Sequence, residues 1–311
     1  MAAPDGRTPD SRPGAAALRN APGKALLYML AAVTALSVLD AAVKWLTDDY
    51  PVPQIAFIRY VIGLALALGL AGISTGGLAS LRTRRLGGHL LRSVFNLSAM
   101  LVFYYALWLL PLAEAVAIAF ATPIFTTMLS IPLLRERVSP RRWAAVGVGF
   151  AGVLVMVRPS ALGVEPGVLL ALLSAVLFAM VVTTSRQLTR TEASHTILFY
   201  YSIACLIGTG AMLPWYWVTP APGDLAAFLI VGVTGSFGQY LMNQALRYGE
   251  ASMLAPLDYT ALLWAALFGY MLWGDWPSLW VVGGAALVLL STIIATSRGG
   301  LLRKRQSASA E

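Results

Sequence analysis

Ten long runs of apolar residues follow one another along this chain of 311 residues, and they constrain its fold more than any other feature. A helix that crosses a bilayer needs roughly 20 apolar residues, and in lipid it must satisfy its own backbone polar groups. The runs cover approximately residues 24–47, 53–73, 89–110, 111–134, 140–157, 165–188, 194–217, 224–248, 250–273 and 277–297. The sequence therefore predicts an all-α polytopic membrane protein with ten transmembrane helices.

The composition excludes the main soluble classes of protein. Hydrophobic residues make up 58% of the chain and charged residues only 12%, against about 45–50% and about 25% in an ordinary globular protein. So few charged side chains cannot coat the surface of a soluble protein of this length. Disordered, collagen-like and soluble two-domain folds are excluded on the same ground.

The basic residues are distributed unequally between the loops. If the N-terminus is cytoplasmic, only Lys44 and Arg158 of the 22 basic residues fall on the outer side and only Arg59 falls inside a helix. The remaining 19, Arg92 among them, fall on the cytoplasmic side. This positive-inside pattern predicts that both termini are cytoplasmic and that the number of spans is even.

The two halves of the chain resemble each other weakly but in a consistent order. Residues 55–59 match residues 197–201, and stretches that begin at Tyr105 and Gln244 correspond in the same way. Because each half holds five helices, an odd number, the halves must insert in opposite orientations. Inverted repeats are typical of secondary transporters, which bind substrate near the bilayer midplane between the repeats.

The chain is accordingly divided into four parts. Residues 1–23 are rich in Pro, Gly, Ala and Arg, lack a signal-peptide pattern and are predicted to be a disordered cytoplasmic tail. The first five-helix repeat is predicted at 24–158 and the inverted second repeat at 163–298. Residues 299–311 are predicted to be a second cytoplasmic tail.

Ionisable side chains inside the predicted helices are candidates for function, because a charge in lipid is costly. Arg59 either binds a substrate carboxylate or an internal acid, or extends to the outer headgroups. Asp40 precedes Lys44 by four residues, a spacing that favours an ion pair over a role in proton coupling. Glu114 opens helix four, where it either complements the helix dipole or carries a proton. Asp258 has no cation nearby in sequence, which makes it the stronger candidate for proton coupling or for contact with the substrate.

Uncharged residues predict a substrate cavity between the helices. Gln239 and Asn243 share one face of helix eight, and Asn96 lies at similar depth on helix three, so they should face a cavity or another helix. Aromatic residues of helices three and nine either line a pocket for a ring-bearing solute or belong to the interfacial aromatic belt. The predicted cavity residues are Arg59, Asn96, Tyr104, Trp108, Gln239, Asn243 and Tyr259.

Two prolines are predicted to bend the membrane helices. Pro123 in helix four and Pro256 in helix nine each lack a backbone N–H and should kink or loosen the helix that holds them. Because helices four and nine correspond in the predicted repeat, Pro123 and Pro256 are candidate conformational hinges. Packing without motion is the alternative interpretation.

Enzyme chemistry is not indicated. The two histidines, His89 and His195, fall at cytoplasmic helix ends, and with the single Cys205 they do not make a metal coordination set. No P-loop or dinucleotide motif is present in the sequence. We therefore predict no catalytic residues, no metal and no cofactor.

Several short motifs, in the same order in both halves, resemble the EamA type of the drug/metabolite transporter superfamily. In the first half they are Phe57-Ile58-Arg59-Tyr60, Tyr105-Ala106-Leu107, Ala113-Glu114-Ala115, Ala121-Thr122-Pro123, Arg135-Glu136-Arg137 and the glycines from Gly147 to Gly152. In the second half they are Asn243-Gln244-Ala245-Leu246, Gly274-Asp275 and Gly283-Gly284. The chain departs from the family pattern at Asp275, where the family usually has Glu, and at Leu262, which aligns with Pro123.

The resemblance implies a bacterial inner-membrane exporter that works by alternating access through a central cavity. Within the family the chain is most similar to exporters of amino acids, including aromatic ones. We therefore expect a secondary transporter that exports small amphipathic metabolites, with the lipid bilayer as its surroundings and no nucleic-acid partner. Export of drugs or other metabolites on the same fold is the nearer alternative, and a non-transporting channel or scaffold the more distant one.

Overall fold

The fold consists of α-helices, as the apolar runs predict. The computed structural model describes residues 22–72, 77, 81–134, 140–157, 165–188, 192, 194–248, 257 and 260–296. In the first half the helices are α1 (Pro22–Leu46), α2 (Val52–Gly72), α3 (Leu86–Leu109), α4 (Leu112–Ala119), α5 (Thr122–Leu134) and α6 (Pro140–Val157). In the second half they are α7 (Pro166–Leu188), α8 (Ser194–Gly210), α9 (Leu213–Tyr216), α10 (Leu225–Tyr248), α11 (Thr260–Trp273) and α12 (Leu279–Thr296).

These helices fall where the ten apolar runs lie. Six apolar stretches are long enough to cross a membrane, one of them made of α4 and α5 together, and four shorter apolar helices occupy the remaining runs. Large apolar side chains face outward, as in Leu27, Leu263 and Leu279, which are 70%, 72% and 87% exposed. The prediction of an all-α, multi-pass membrane protein is confirmed. The predicted tails lie outside the described residues, except that α1 already begins at Pro22.

The fourth run is interrupted in the middle rather than continuous. Helix α4 ends at Ala119 and α5 begins at Thr122, so that Pro123 stands in the first turn of α5, where its missing N–H is tolerated. The carbonyl of Ala119 is the acceptor that an N–H at residue 123 would serve in an unbroken helix. The Thr122 hydroxyl donates to this carbonyl instead, at 2.7 Å. The interruption lies where the sequence predicts a kink.

Helices of one half pack mainly against helices of the other. The main contacts join α1 to α10, α3 to α7, α2 to α8 and α6 to α12, with further contacts of α2 with α10 and of α3 with α8. The buried core between them includes Leu46, Ile55, Leu107, Leu112 and Val231, each at most 1% exposed. The core therefore lies between the halves rather than within each of them.

Two glycines allow α6 and α12 to approach each other closely. A Cβ atom added to Gly152 would lie 2.7 Å from the Gly284 carbonyl oxygen, and one added to Gly284 would lie 2.5 Å from the Gly152 carbonyl oxygen. Any side chain at either position would force the backbones apart. Small residues are the usual means by which membrane helices come into such contact.

Candidate functional site

A cavity of about 530 Å³ lies between the two halves of the molecule. Most of its lining comes from α1 to α5, and the second half contributes one residue each from α7, α8 and α11 and two from α10. The residues that line it are Val33, Leu36, Ser37, Leu39, Asp40, Arg59, Tyr60, Arg92, Asn96, Met100, Phe103, Tyr104, Val116, Ala119, Phe120, Thr122, Phe178, Tyr201, Gln239, Met242 and Ala261.

Arg59 extends from α2 into this cavity. Its Nη1 atom donates a hydrogen bond of 2.6 Å to the Tyr104 hydroxyl of α3, and its guanidinium lies 5.7 Å from the centre of the Tyr60 ring. A Cβ atom added to Gly235 of α10 would lie 2.8 Å from Arg59 Nε, so the second half makes room for the guanidinium. Arg59 is thus positioned by three helices and faces the interior, not the outer headgroups.

Asp40 lines the same cavity from α1. Within the described part of the chain, no hydrogen bond and no ion pair of 4 Å or less reaches its carboxylate. The predicted pair with Lys44 is not formed, because Lys44 Nζ donates instead to the carbonyls of Leu107 and Leu110, at 3.0 and 2.7 Å. These carbonyls lie at the C-terminal end of α3, where backbone acceptors have no helical partner and a cation is favoured.

Polar groups of α2 and α3 bond to one another at the cavity, and a ring contact joins them to the second half. Asn96 Nδ2 of α3 donates to the Tyr60 hydroxyl at 3.0 Å, and that hydroxyl donates to the sulfur of Met100 at 3.1 Å. The Tyr60 ring meets the Tyr201 ring of α8 edge to face, with centres 6.0 Å apart. Asn96 therefore fixes an aromatic wall that both halves supply.

Arg92 is a cavity residue that the sequence prediction missed. From the sequence it is counted among the cytoplasmic flanking charges, but it lies six residues beyond the first residue of α3 and lines the cavity. Its Nε atom donates to the Ser185 hydroxyl of α7 at 2.6 Å, and its guanidinium lies 4.9 Å from the centre of the Tyr201 ring. Among the described residues, its buried Nη1 atom has no hydrogen-bond partner. The signal was its position inside the apolar run 89–110, which makes it a helix residue and not a loop residue.

Several other predicted site residues are located by the structure. Asn96, Tyr104 and Gln239 line the cavity, whereas Glu114 lies in the first turn of α4 and does not. Trp108, which is predicted for the cavity, is 52% exposed and is not among the residues that line it. Each four-residue step along α3 shifts the side chain by about 40° around the helix, so Trp108 lies about 120° from Asn96, beyond Tyr104 at about 80°.

The remaining predictions concern residues that the structure does not describe in full. Asp258, Tyr259 and Pro256 lie outside the described residues. Asn243 and Pro123 belong to described helices, but the description does not extend to their side chains. These five assignments stay predictions from the sequence.

At one end of the molecule, a group of hydrogen bonds, here called the first clasp, joins the α1–α2 connection and α2 to residues 217–224. The Tyr50 hydroxyl donates to Asp224 Oδ2 at 2.7 Å and accepts the Ala221 N–H at 2.9 Å. The Gln54 amide bonds to both the N–H and the carbonyl of Val218, at 2.8 and 2.7 Å. The Ala221 N–H by itself lowers the pKa of Tyr50, but the bond to Asp224 and its charge raise the net pKa of Tyr50 above the usual value. The Tyr50 hydroxyl therefore remains a donor at neutral pH.

A second clasp joins the other connections of the two halves. The Thr83 hydroxyl, just before α3, donates to Glu192 Oε1, between α7 and α8, at 2.8 Å. The Nε2 atom of His89 lies 3.8 Å from Glu192 Oε2, which is too long for a hydrogen bond. In this part of the molecule, and in the other described residues, no three His, Cys, Asp or Glu side chains come together as a metal site.

Comparison with known sequences gives two matched stretches and several relatives of nearly full length. Residues 23–158 and 165–297 each match the profile of the EamA-like transporter family. An S-adenosylmethionine uptake transporter of Rickettsia prowazekii is 28% identical over 282 residues, which cover 90% of this chain and 95% of the relative. A riboflavin transporter of Rhizobium johnstonii is 29% identical over 283 residues, 91% of this chain and 93% of the relative. A pseudopaline exporter of Pseudomonas aeruginosa is 28% identical over 275 residues, 86% of this chain and 94% of the relative.

A solved crystal structure has the same fold. It aligns with a TM-score of 0.63 at 23% sequence identity, over 92% of this chain and 99% of the matched chain. At this identity the likeness concerns the fold alone.

Proposed function

The chain belongs to the EamA-like transporter family, and on this premise we propose that it exports amino acids with large apolar or aromatic side chains. Transport would proceed by alternating access through the cavity between the two halves. The protein would reside in a bacterial inner membrane with both termini in the cytoplasm. Its named relatives are transporters of small molecules, which supports a metabolite as the substrate.

The observation that carries this proposal is the presence of opposite charges in one aromatic cavity. A free amino acid is a zwitterion, and Arg59 offers its carboxylate a bidentate donor. Asp40 offers the ammonium group an acceptor that has no partner among the described residues. In a site of low dielectric, such paired contacts are stronger than they are in water.

The walls of the cavity suit a ring-bearing side chain. The Phe103 and Phe178 rings meet edge to face with centres 6.2 Å apart, and Tyr60 and Tyr201 form a similar pair. Aromatic rings prefer such offset or perpendicular neighbours over a face-to-face arrangement. An aromatic substrate side chain between these pairs would bury its ring faces against them, while the amino-acid head keeps its contacts with Arg59 and Asp40.

Alternating access is supported by the way in which the halves pair. Under the predicted repeat, α1 corresponds to α7, α2 to α8 and α3 to α10. The contact of α1 with α10 then has its counterpart in that of α3 with α7, and the first clasp has its counterpart in the second. Since the proposed repeats 24–158 and 163–298 insert in opposite orientations, the two clasps would close opposite ends of the cavity.

We also propose which residues couple transport to protons and which allow the helices to bend. We assign proton coupling to Asp40 first, with Glu114 and Asp258 as further candidates, and bending to Pro123 and Pro256. Asp40→Asn or Asp258→Asn should then abolish the flux that a pH gradient drives. Wild-type flux that ignores the pH gradient would instead identify facilitated diffusion.

A second candidate is export of a larger metabolite on the same fold. It is favoured by the cavity volume of about 530 Å³, which lies in the range of pockets for drug-sized ligands. The relatives named for S-adenosylmethionine and riboflavin transport also point to ring-bearing substrates larger than an amino acid.

The deciding experiment is counterflow in proteoliposomes preloaded with unlabelled amino acid. Labelled phenylalanine and tryptophan should accumulate transiently and saturably, and lipophilic cations should compete weakly. Empty liposomes and the Arg59→Gln variant are the controls. Absence of saturable flux for every amino acid tested would overturn the substrate class, and flux that never saturates would indicate a channel.

A further inference from the structure

Two guanidinium groups share the cavity, and the proposed amino-acid site uses only one of them. Arg59 lies beside Tyr104, close to the C-terminal end of α3, and Arg92 lies near the N-terminal end of the same helix. Tyr104 and Arg92 are twelve residues apart, a rise of about 18 Å along the helix. The two cations therefore face different depths of the cavity.

Two aromatic rings stand between these cations. Arg59 lies 5.7 Å from the Tyr60 ring, the Tyr60 and Tyr201 rings are 6.0 Å apart, and Arg92 lies 4.9 Å from the Tyr201 ring. The guanidinium groups are therefore no farther apart than these three distances laid end to end. A single elongated molecule can contact both while its middle rests against the two tyrosine rings.

The hydrogen bonding of Arg92 is incomplete. Its Nε atom is bonded to Ser185, but its Nη1 atom is buried without a partner. Within the described part of the chain, no carboxylate lies within 4 Å of either Arg92 or Arg59. Buried donors are nearly always paired, and a guanidinium binds carboxylates best through its paired N–H groups.

The charges of the described cavity lining are unequal in number. Among the described lining residues, Arg59 and Arg92 are positive and Asp40 is negative. Among these described residues, a zwitterionic amino-acid head at Arg59 and Asp40 leaves the positive charge of Arg92 without a counterpart. A second anionic group on the substrate would compensate it.

We infer that Arg92 binds a second acidic group of the substrate, so that the transported metabolite carries an amino-acid head at one end and an anion at the other. This inference rests on the proposed function, because it takes Arg59 and Asp40 as the site of the head. It narrows the substrate class to elongated amino acids with a distal carboxylate or a similar anion. The cavity volume of about 530 Å³ exceeds the need of a simple amino acid and accommodates such a molecule.

Three ligands of the same shape test the inference directly. Phenylalanine, 4-carboxy-L-phenylalanine and 4-aminomethyl-L-phenylalanine share the head and the ring and differ in the distal group, which is neutral, anionic or cationic. Dissociation constants are measured by calorimetry on the full chain in nanodiscs of phosphatidylcholine. We expect the carboxy derivative to bind about tenfold more tightly than phenylalanine, and the aminomethyl derivative to bind about tenfold more weakly.

Variants of Arg92 identify the residue responsible. Arg92→Gln should remove the preference for the carboxy derivative, measured as the ratio of its affinity to that of phenylalanine in the same variant, and Arg92→Lys should restore part of the preference. Arg85→Gln, an equal change of charge on an exposed residue just before α3, is the matched control and should retain the preference. Ser185→Ala, which removes only the Nε partner, should also retain it and shows whether loss of the α3–α7 contact matters.

The possible outcomes separate the two proposals. Equal affinity for the three ligands, or a preference that persists in Arg92→Gln, would overturn the inference while phenylalanine binding upholds the proposed function. Failure of all three ligands to bind would overturn the proposed function, and the inference with it. A preference present in phosphatidylcholine but lost with phosphatidylglycerol would show that an anionic lipid headgroup competes for Arg92, which also contradicts the inference.

Discussion

The two halves of the molecule pair symmetrically but contribute unequally to the cavity. Among the described lining residues, all charged side chains, namely Asp40, Arg59 and Arg92, come from the first half. The second half supplies neutral walls and room, for example through Tyr201, which corresponds to Arg59 in the predicted repeat, and through Gly235. A shared backbone arrangement thus constrains where helices lie, and it leaves the chemistry of each half free to differ.

The sharpest test of this difference removes a polar group at each of two corresponding positions, the guanidinium of Arg59 and the hydroxyl of Tyr201. Arg59→Gln should lower the counterflow rate for phenylalanine by about 100-fold, because a charge-assisted bond to the substrate and the bond to Tyr104 are both lost. Tyr201→Phe, at the corresponding place in the second half, should cost less than about threefold. Trp108→Phe, on the same helix as Tyr104 but outside the cavity, is the control. Equal losses in the two halves would contradict the asymmetry.

A smaller effect, on substrate affinity, is expected at Asp40, the negative charge that the first half contributes to the cavity. Asp40→Asn should weaken phenylalanine binding by about tenfold, because the ammonium group loses an ionic partner. Binding of N-acetylphenylalanine, which has no ammonium group, should not change. Ser37→Ala, one turn earlier on α1 and also facing the cavity, should leave both affinities within about twofold. A parallel loss for both ligands in Asp40→Asn would indicate a structural role.

Gly235 allows a test of whether the second half positions the Arg59 guanidinium. Gly235→Ala places a methyl group 2.8 Å from Arg59 Nε, and the displaced guanidinium should lower phenylalanine affinity by about fivefold, within the range of overpacking effects. Gly63→Ala, whose methyl group would meet only the movable Ser236 hydroxyl at 3.0 Å, is the matched control. Unchanged affinity in Gly235→Ala would show that the second half does not position Arg59.

The smallest effects on substrate affinity are expected at the two clasps. Tyr50→Phe removes two hydrogen bonds at the first clasp, one of them to the Asp224 carboxylate, and Thr83→Val removes the bond to the Glu192 carboxylate at the second. A hydrogen bond contributes about 1 kcal/mol, so transport rates should change by about 30-fold for Tyr50→Phe and by about fivefold for Thr83→Val, without a change in affinity. Stopped-flow counterflow measures the rate, and calorimetry measures the affinity. A loss of affinity in either variant would assign that clasp to substrate binding instead of gating.

Much of the fold could be predicted from the sequence, because it depends on local properties. Each apolar run is long enough to span a bilayer and must be helical there, so the positions of the helices follow from hydropathy alone. The interruption near Pro123 follows from its missing N–H. Which helices touch, and where the cavity lies, depend on contacts between distant residues that the pattern does not encode.

In the candidate site, too, contacts between distant residues could not be predicted from the local sequence. Arg59 could be singled out because a lone cation in a helix is costly. Arg92 lies inside the predicted run 89–110 but near its start, where a basic residue is typical of an orientation signal, so its place in the cavity could not be predicted. The pairing of Lys44 could not be foreseen, because its carbonyl partners at the end of α3 lie more than 60 residues away.

The reciprocal contact of Gly152 and Gly284 has an evolutionary consequence. In each direction a Cβ atom on one glycine would clash with the carbonyl oxygen of the other. Because the predicted repeat aligns Pro123 with Leu262, it does not align Gly152 with Gly284, so under that repeat the two positions do not derive from one ancestral glycine. Each codon is therefore held to glycine separately, and a mutation at either one breaks the contact by itself.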